Sequence, residues 1–308
     1  MEGSSHGGLT SLVRAANYPA VIRSQGEAAR SPFRRYHHVM YRQMARAAFA
    51  TGIIGLAIVG FVFGDFAGLW QSFPATAFVR HALALASAAL VLACGLGLLS
   101  SRTEMFAARV LVPCLTLLVL VLKLPAVVKA PLVEGSWQSM SELVVLLTAA
   151  WVLATGSARA TRIAQLAFGL ALIPLALSHF VYVNLTAPLV PAWLPYHAGW
   201  AYFTGAAHLA AALGILLGVL PRLAASMEAA MLTIFTLLVW VPAIVANPSS
   251  QGSWSELTIS WAMSAAAWVV AASFPGDDTA YADQGSSTQP QPQTAERDLP
   301  AGNDADAM

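Results

Sequence analysis

Two stretches of the sequence, "PAVVKAPLVEGSW" (residues 125–137) and "PAIVANPSSQGSW" (residues 242–254), place Pro, Gly, Ser and Trp in the same register, 117 positions apart. The register continues without a gap from Pro74 to Ala154, and it brings Gly97 onto Gly214. Apolar runs align by accident because Leu, Ala and Val fill them, whereas prolines and tryptophans in a shared register do not. The sequence therefore predicts an internal duplication.

The composition is that of a membrane protein. Only 10% of the 308 residues are charged and 57% are hydrophobic, whereas a soluble globular chain has roughly 25% charged residues. Long uncharged runs separate the charges, and a run of about 20 apolar residues is what a helix needs to cross a bilayer. We predict an all-α integral membrane protein whose environment is the lipid bilayer, and no pattern in the chain calls for nucleic acid.

Eight transmembrane helices are predicted, four in each half of the duplication. Since four is an even number, both halves point the same way, as two parallel-oriented four-helix repeats. The predicted spans cover residues 45–64, 78–99, 105–127, 139–156, 163–183, 198–219, 226–246 and 255–274. The predicted domains are a basic N-terminal tail (1–44), a degenerate first repeat (45–156), a second repeat (163–274) and a disordered acidic C-terminal tail (275–308).

The basic residues predict the orientation. Twelve arginines fall in the N-terminal tail and in the connectors on the same side, whereas only Arg80, Lys123 and Lys129 fall on the other side. Positive charge stays in the cytoplasm, so we predict a multi-pass protein of the cytoplasmic (inner) membrane with both termini cytoplasmic. Lys123, near the outer end of its span, is expected to snorkel toward the interface, the alternative being a pair with Glu142, one turn into the fourth span.

The candidate ligand site lies in the stretch "PLVPAWLPYHAGWAYFTGAAHLAAALG" (residues 188–214) and the helix before it. Its prolines stiffen a loop, and its aromatic rings suit either a ligand site or an ordinary aromatic belt at the membrane surface. The candidate ligand-binding residues are His179, Trp193, His197, Trp200, Thr204 and His208.

Two histidines fall inside predicted spans. By helix rise, His208 lies about 15 Å and His179 about 6 Å below the outer surface. A buried imidazole either lines a polar interior or serves as neutral hydrogen-bonding glue between helices. Because the two depths differ by about 9–10 Å, and no HxxxH or CxxCH pattern or neighbouring carboxylate accompanies them, we predict no metal or haem site.

The segment from Ser178 to Gly218 resembles the DoxX and DoxX-like family of small four-span membrane proteins. The "VPAWLP" loop and the following "WAYFTGAAHL" carry the resemblance. It implies a four-helix bundle in each half, and the family's namesake, a subunit of a thiosulfate:quinone oxidoreductase, implies contact with quinone. A typical member has one four-span unit, whereas this chain has two.

Three functions stay open at this point. The first is a non-enzymatic binding or accessory subunit with an outward-facing pocket for an apolar or quinone-like ligand. The second is the membrane subunit of a quinone-linked oxidoreductase, and the third is a small-solute or proton-coupled transporter. No P-loop, GxSxG or dinucleotide motif is found, so we predict no catalytic residue and no cofactor other than a quinone. A redox or transport partner subunit and a homo-oligomer are both compatible with the sequence.

Overall fold

The computed structural model describes residues 37, 39–66 and 76–275, and within this part of the chain every regular element is helical. Eight long helices follow one another along these residues. They are α1 (Val39–Phe63), α2 (Ala77–Leu99), α3 (Glu104–Lys129), α4 (Glu134–Ala154), α5 (Ala158–Val181), α6 (His197–Leu217), α7 (Pro221–Ala246) and α8 (Gln251–Ser273).

Seven of the eight, α1 to α7, are long and apolar enough to span a bilayer. The chain therefore has the make-up of an α-helical, multi-pass membrane protein. Helix α8 is as long as α2 but carries more polar residues, including Glu256 and several serines, and it does not meet the same hydropathy criterion. It is also the helix with the longest buried face, which alanines dominate.

Helix α1 is described from Val39, ahead of the predicted residue 45, and ends at Phe63, where Gly64 has the left-handed φ of +63°. Most of the predicted N-terminal tail, all of the C-terminal tail beyond residue 275 and residues 67–75 lie outside the described residues. Part of the register of the duplication, including Pro74, lies there too.

Proline shapes α3 and α7 in the same way. Each contains one wide π-helical turn, Val119–Lys123 in α3 and Thr236–Trp240 in α7, and each turn ends two residues before a proline, Pro125 or Pro242. A proline inside a helix lacks an N–H and its ring clashes with the carbonyl four residues earlier. A widened turn relieves that clash while the helix continues.

The bounds of α3 and α7 differ by 117 positions at both ends, as do those of their π turns. The connections that follow also match: Trp137 Nε1 donates to the Pro131 carbonyl at 2.9 Å, and Trp254 Nε1 donates to the Pro248 carbonyl at 2.8 Å. The spacing predicted from the sequence thus recurs in helix ends, helix irregularities and hydrogen bonds.

Helices α4 and α8 lie at the centre of the bundle. They pack against each other, α4 also packs along α5, and α8 packs along α1. Helix α1 approaches α8 closely at Gly52, where an added Cβ would lie 2.6 Å from the Ala262 Cα. Trp261 Nε1 donates to Thr51 Oγ1 at 2.9 Å in the same contact.

Lys123 does not snorkel. Its side chain is fully buried and its Nζ donates to Ser139 Oγ on α4, so that prediction is wrong. The π turn that ends at Lys123 shifts the residues after it around the helix axis, which a count along a regular helix does not anticipate.

Candidate ligand-binding site

A cavity of about 1030 Å³ lies between the end of α5, helix α6, helix α7 and the connection from residue 186 to residue 194. Trp193 lines it at the end where α6 begins, and Leu220 lines it at the end where α7 begins. Leu217 and Leu220 are well exposed, so the cavity opens onto the surface of the bundle at this second end. Such dimensions suit an elongated apolar molecule.

Apart from the indole N–H groups of Trp193 and Trp200, the lining has four side chains with polar atoms, two of which are already paired. Thr204 Oγ1 donates to the Trp200 carbonyl at 2.9 Å, and Thr186 Oγ1 donates to the Tyr182 carbonyl at 3.3 Å. The remaining two are His179 on α5 and Glu228 on α7. The cavity therefore offers a ligand its polar contacts at these two residues.

His179, His208 and Glu228 form one group, which we call the histidine–glutamate cluster. The His208 Nδ1 lies 2.7 Å from the Glu228 Oε1, at hydrogen-bond distance. The rings of His179 and His208 lie with their centroids 5.4 Å apart. His208 and Glu228 are only 3% and 1% exposed, so these polar side chains lie inside the bundle.

Two buried atoms of the cluster have no hydrogen-bond partner, Nδ1 of His179 and Oε2 of Glu228. A buried polar atom without a partner carries the full cost of its lost hydration. Native proteins leave few such atoms, and each calls for an explanation. Both residues line the cavity, so a ligand there is placed to supply the missing contacts.

Gly205 on α6 allows the two histidines to meet. A Cβ at this position would lie 2.9 Å from the His179 Cβ and 3.0 Å from the Ala176 carbonyl oxygen. Only glycine permits α5 and α6 to approach so closely at the level of the cluster.

Of the six predicted site residues, four line the cavity: His179, Trp193, Trp200 and Thr204. His208 lies behind the cavity wall and reaches it through Glu228. His197 is the first residue of α6, half-buried, and does not line the cavity.

The predicted separation of the two histidines is wrong, and so is the statement that no carboxylate accompanies them. Gly205 lies level with His179, so the first two turns of α6 extend past the end of α5. The predicted depths of His179 and His208 were counted from the outer ends of α5 and α6. Because these two ends lie at different heights in the bundle, the two depths were not comparable. Side chains also tilt toward the N-terminus of their helix, which brings the antiparallel His179 and His208 toward each other.

Glu228 is the functional residue that the sequence analysis missed. It is an isolated acidic residue within an apolar predicted span, and in the register of the duplication it falls on Leu111. An ionisable residue within a span is by default a functional candidate, so the signal was present. Among the described residues, no group of three or more His, Cys, Asp or Glu side chains is arranged to hold a metal ion.

A family model described as a domain of unknown function (DUF8561) matches residues 166–271. The matched segment, about a third of the chain, runs from α5 to α8 and contains every residue that lines the cavity. It is not the DoxX family, so that resemblance stays a prediction. No curated protein and no solved structure matches the chain.

Proposed function

We propose that the chain is a DoxX-like membrane protein that binds a lipophilic ligand, of the lipid or prenyl-quinone type, in the cavity between α5, α6 and α7. The observation that carries this proposal is a large apolar cavity in which two buried polar atoms, on His179 and Glu228, lack partners. Ligand pockets combine these features: an apolar lining with a few polar groups that fix orientation.

The proposal includes eight spans arranged as two like-oriented four-helix repeats, with α8 as the eighth span. The shared register of helix bounds and π turns supports the duplication. The burial of α8 among its neighbours supports its place as a span despite its polar residues. Polar side chains are tolerated in a membrane-spanning helix when they face the interior of the bundle rather than lipid.

Both termini are proposed to be cytoplasmic in the inner membrane, which puts the end of the cavity at Trp193 on the outer side. This orientation rests on the distribution of arginines in the sequence, interpreted by the positive-inside rule. A protease-cleavable tag after Met308, tested in sealed membranes of known orientation, checks it. Cleavage from the outer side only would overturn this orientation.

We favour a non-enzymatic binding function, in which the chain is an accessory subunit of a membrane redox or transport partner. The cavity supplies hydrogen bonds and apolar surface, and the described residues around it include no arrangement of nucleophile and base. The ligand then stays intact, and a partner subunit uses it or receives it.

The test is extraction of lipids and quinones from the purified full chain, followed by mass spectrometry. Ala207 lines the cavity and Ala206, the next residue, does not, so Ala207→Phe fills the cavity while Ala206→Phe adds the same ring on another face of α6. We expect one lipophile in near-stoichiometric amount with the wild type and with Ala206→Phe, and its loss with Ala207→Phe. Equal amounts in all three proteins, or none in any, would reject the proposal.

A second candidate, proton-coupled transport, is favoured by one observation: the His208–Glu228 pair is buried, with His208 near the middle of α6 and Glu228 about two turns into α7. Paired ionisable groups within a membrane are the components of proton relays. Proteoliposomes carrying a pH-sensitive dye test it directly. If wild type and His208→Val collapse an imposed pH gradient at the same rate as empty vesicles, the pair carries no protons under those conditions and this candidate falls.

A further inference from the structure

The polar end of the cavity has a defined hydrogen-bonding character. The Thr204 and Thr186 hydroxyls have carbonyl partners, so the unpartnered atoms are His179 Nδ1 and Glu228 Oε2. Whether these two atoms donate or accept hydrogen bonds determines which head groups of a ligand are able to pair with them.

Glu228 Oε2 is an acceptor however the proton of the His208–Glu228 pair is placed. If His208 Nδ1 carries the proton, it donates to Oε1 and the carboxylate keeps Oε2 as an acceptor. If Oε1 carries the proton and donates to Nδ1, Oε2 is a carbonyl-type oxygen and again accepts. In both states the ligand must bring a donor.

His179 Nδ1 accepts or donates according to its tautomer. A hydroxyl is able to act as donor and acceptor at once, so an O–H that donates to Glu228 Oε2 keeps lone pairs for an N–H at His179 Nδ1. A ketone or an ether has no hydrogen to give to Glu228 and leaves that oxygen unpaired.

An anionic head is disfavoured. Among the described residues that line the cavity there is no Lys or Arg, and a buried ion without a counter-ion costs more than the apolar tail recovers. With one proton shared between Nδ1 and Oε1, the His208–Glu228 pair has no net positive charge, so it offers no compensating charge to a phosphate or a carboxylate.

We infer that the ligand of this cavity is a long-tailed neutral molecule whose head donates an O–H, as a quinol, a phenol or an alcohol does, to Glu228 Oε2, with His208 as the positioning residue for Glu228. This inference rests on the proposed function and adds the head-group chemistry to it. It predicts that the cavity discriminates a hydroxyl from the same molecule with the hydroxyl methylated.

The experiment uses para-dodecylphenol and its methyl ether, which share tail and ring and differ in the one donor. Binding to the full chain in lipid nanodiscs is measured by calorimetry. Loss of a hydrogen bond to a charged or charge-coupled buried group corresponds to about tenfold or more in affinity, so we expect the phenol to bind at least that much more tightly than the ether.

The matched control is the triple variant His179→Val, His208→Val, Glu228→Leu, which carries the residues found at the equivalent positions of the first half, Val62, Val91 and Leu111. It keeps an apolar cavity without the three polar side chains and therefore reports the binding of both compounds that does not depend on these side chains. We expect the triple variant to bind phenol and ether equally. The single variant Thr116→Val removes a hydroxyl that donates to a carbonyl within α3, away from the cavity, and we expect it to keep the preference for the phenol.

The outcomes separate the two proposals. If the wild type binds both compounds with equal affinity, the head-group inference is overturned while the binding function stands. If it binds neither above the level of protein-free nanodiscs, the binding function itself fails. Dodecanol, as a third compound, distinguishes the source: affinity equal to that of the phenol indicates an aliphatic alcohol, and weaker affinity indicates an aromatic head.

Discussion

The two predicted repeats match in the bounds and π turns of α3 and α7, but they differ in the chemistry of one buried region. The second half holds the histidine–glutamate cluster and the cavity beside it. The first half has apolar residues at the three equivalent positions, Val62, Val91 and Leu111. A common backbone therefore supports either an apolar interior or a polar site, and the choice is made by a few side chains.

The comparison extends to how closely the helices pack. Gly205 in the second half stands where the first half has Ala88, which is buried against Gly60. In the second half the small residue lies on α6 and the larger His179 lies on α5. The two helices thus approach closely at this level in both halves. In the second half the glycine is on α6, which leaves room for the larger His179 on α5.

The largest effect is expected from breaking the cluster. His208→Val leaves the buried Glu228 carboxyl without its partner, which costs about 3–5 kcal/mol of the free energy of unfolding. Adding Glu228→Leu restores the pair of residues found in the first half, and replacement of a buried pair by apolar residues is close to neutral. Thermal unfolding of both variants in detergent measures this, and equal midpoints for the single and double variants would show that the two residues are not coupled.

The next effect concerns the approach of α5 and α6. Gly205→Ala places a methyl group 2.9 Å from the His179 Cβ, and overpacking of this kind costs about 1–3 kcal/mol. Gly199 on the same helix has only an ordinary contact, at 3.7 Å from the Tyr196 Cβ, so Gly199→Ala is the matched control. We expect that control to be neutral or slightly stabilising in the same unfolding assay, because alanine favours helix.

A smaller effect, equal in the two halves, is expected at the duplicated tryptophans. Trp137→Phe and Trp254→Phe each remove one hydrogen bond to a proline carbonyl, at a cost of about 0.5–1.5 kcal/mol. Equal losses in unfolding free energy would strengthen the comparison. A loss in one variant that is double the loss in the other would show that the two connections are not structurally equivalent.

The smallest effect is expected at an ion pair found in the first half alone. Arg80 donates to both carboxylate oxygens of Asp65, at 2.7 and 3.0 Å, and the equivalent residues in the second half are His197 and Tyr182. Both side chains are about one-third exposed, at 31% and 32%, so we expect Asp65→Asn to cost about 0.2–1 kcal/mol.

The Arg80 guanidinium lowers the pKa of Asp65 below its ordinary value. A carboxyl whose folded pKa is depressed stabilises the protein above its unfolded pKa of about 3.9 and loses that contribution as pH falls through the folded pKa. The stability difference between wild type and Asp65→Asn should therefore be constant from neutral pH to about pH 5 and shrink below about pH 4. A difference that grows on acidification would contradict the ion pair.

The helices themselves were largely predictable from the sequence. Apolar runs, together with proline and glycine, act within a few residues of where they stand, so the ends of α2, α3 and α6 fall within about two residues of the predicted spans. The duplication was predictable for the same reason, because Pro125 and Pro242 impose the same irregularity wherever the bundle places them. The eight-span topology and the orientation stay predictions.

The site was predictable in its parts and not in its assembly. The sequence alone determined that His179 and His208 lie within apolar helices, since neighbouring residues along each helix fix that. Only the tertiary structure decided that they meet and that Glu228 joins them, because such contacts depend on how far α6 is staggered past α5 and how α7 is rotated toward both. Stagger and rotation are set by the packing of small residues such as Gly205, and that packing involves residues far apart in the chain.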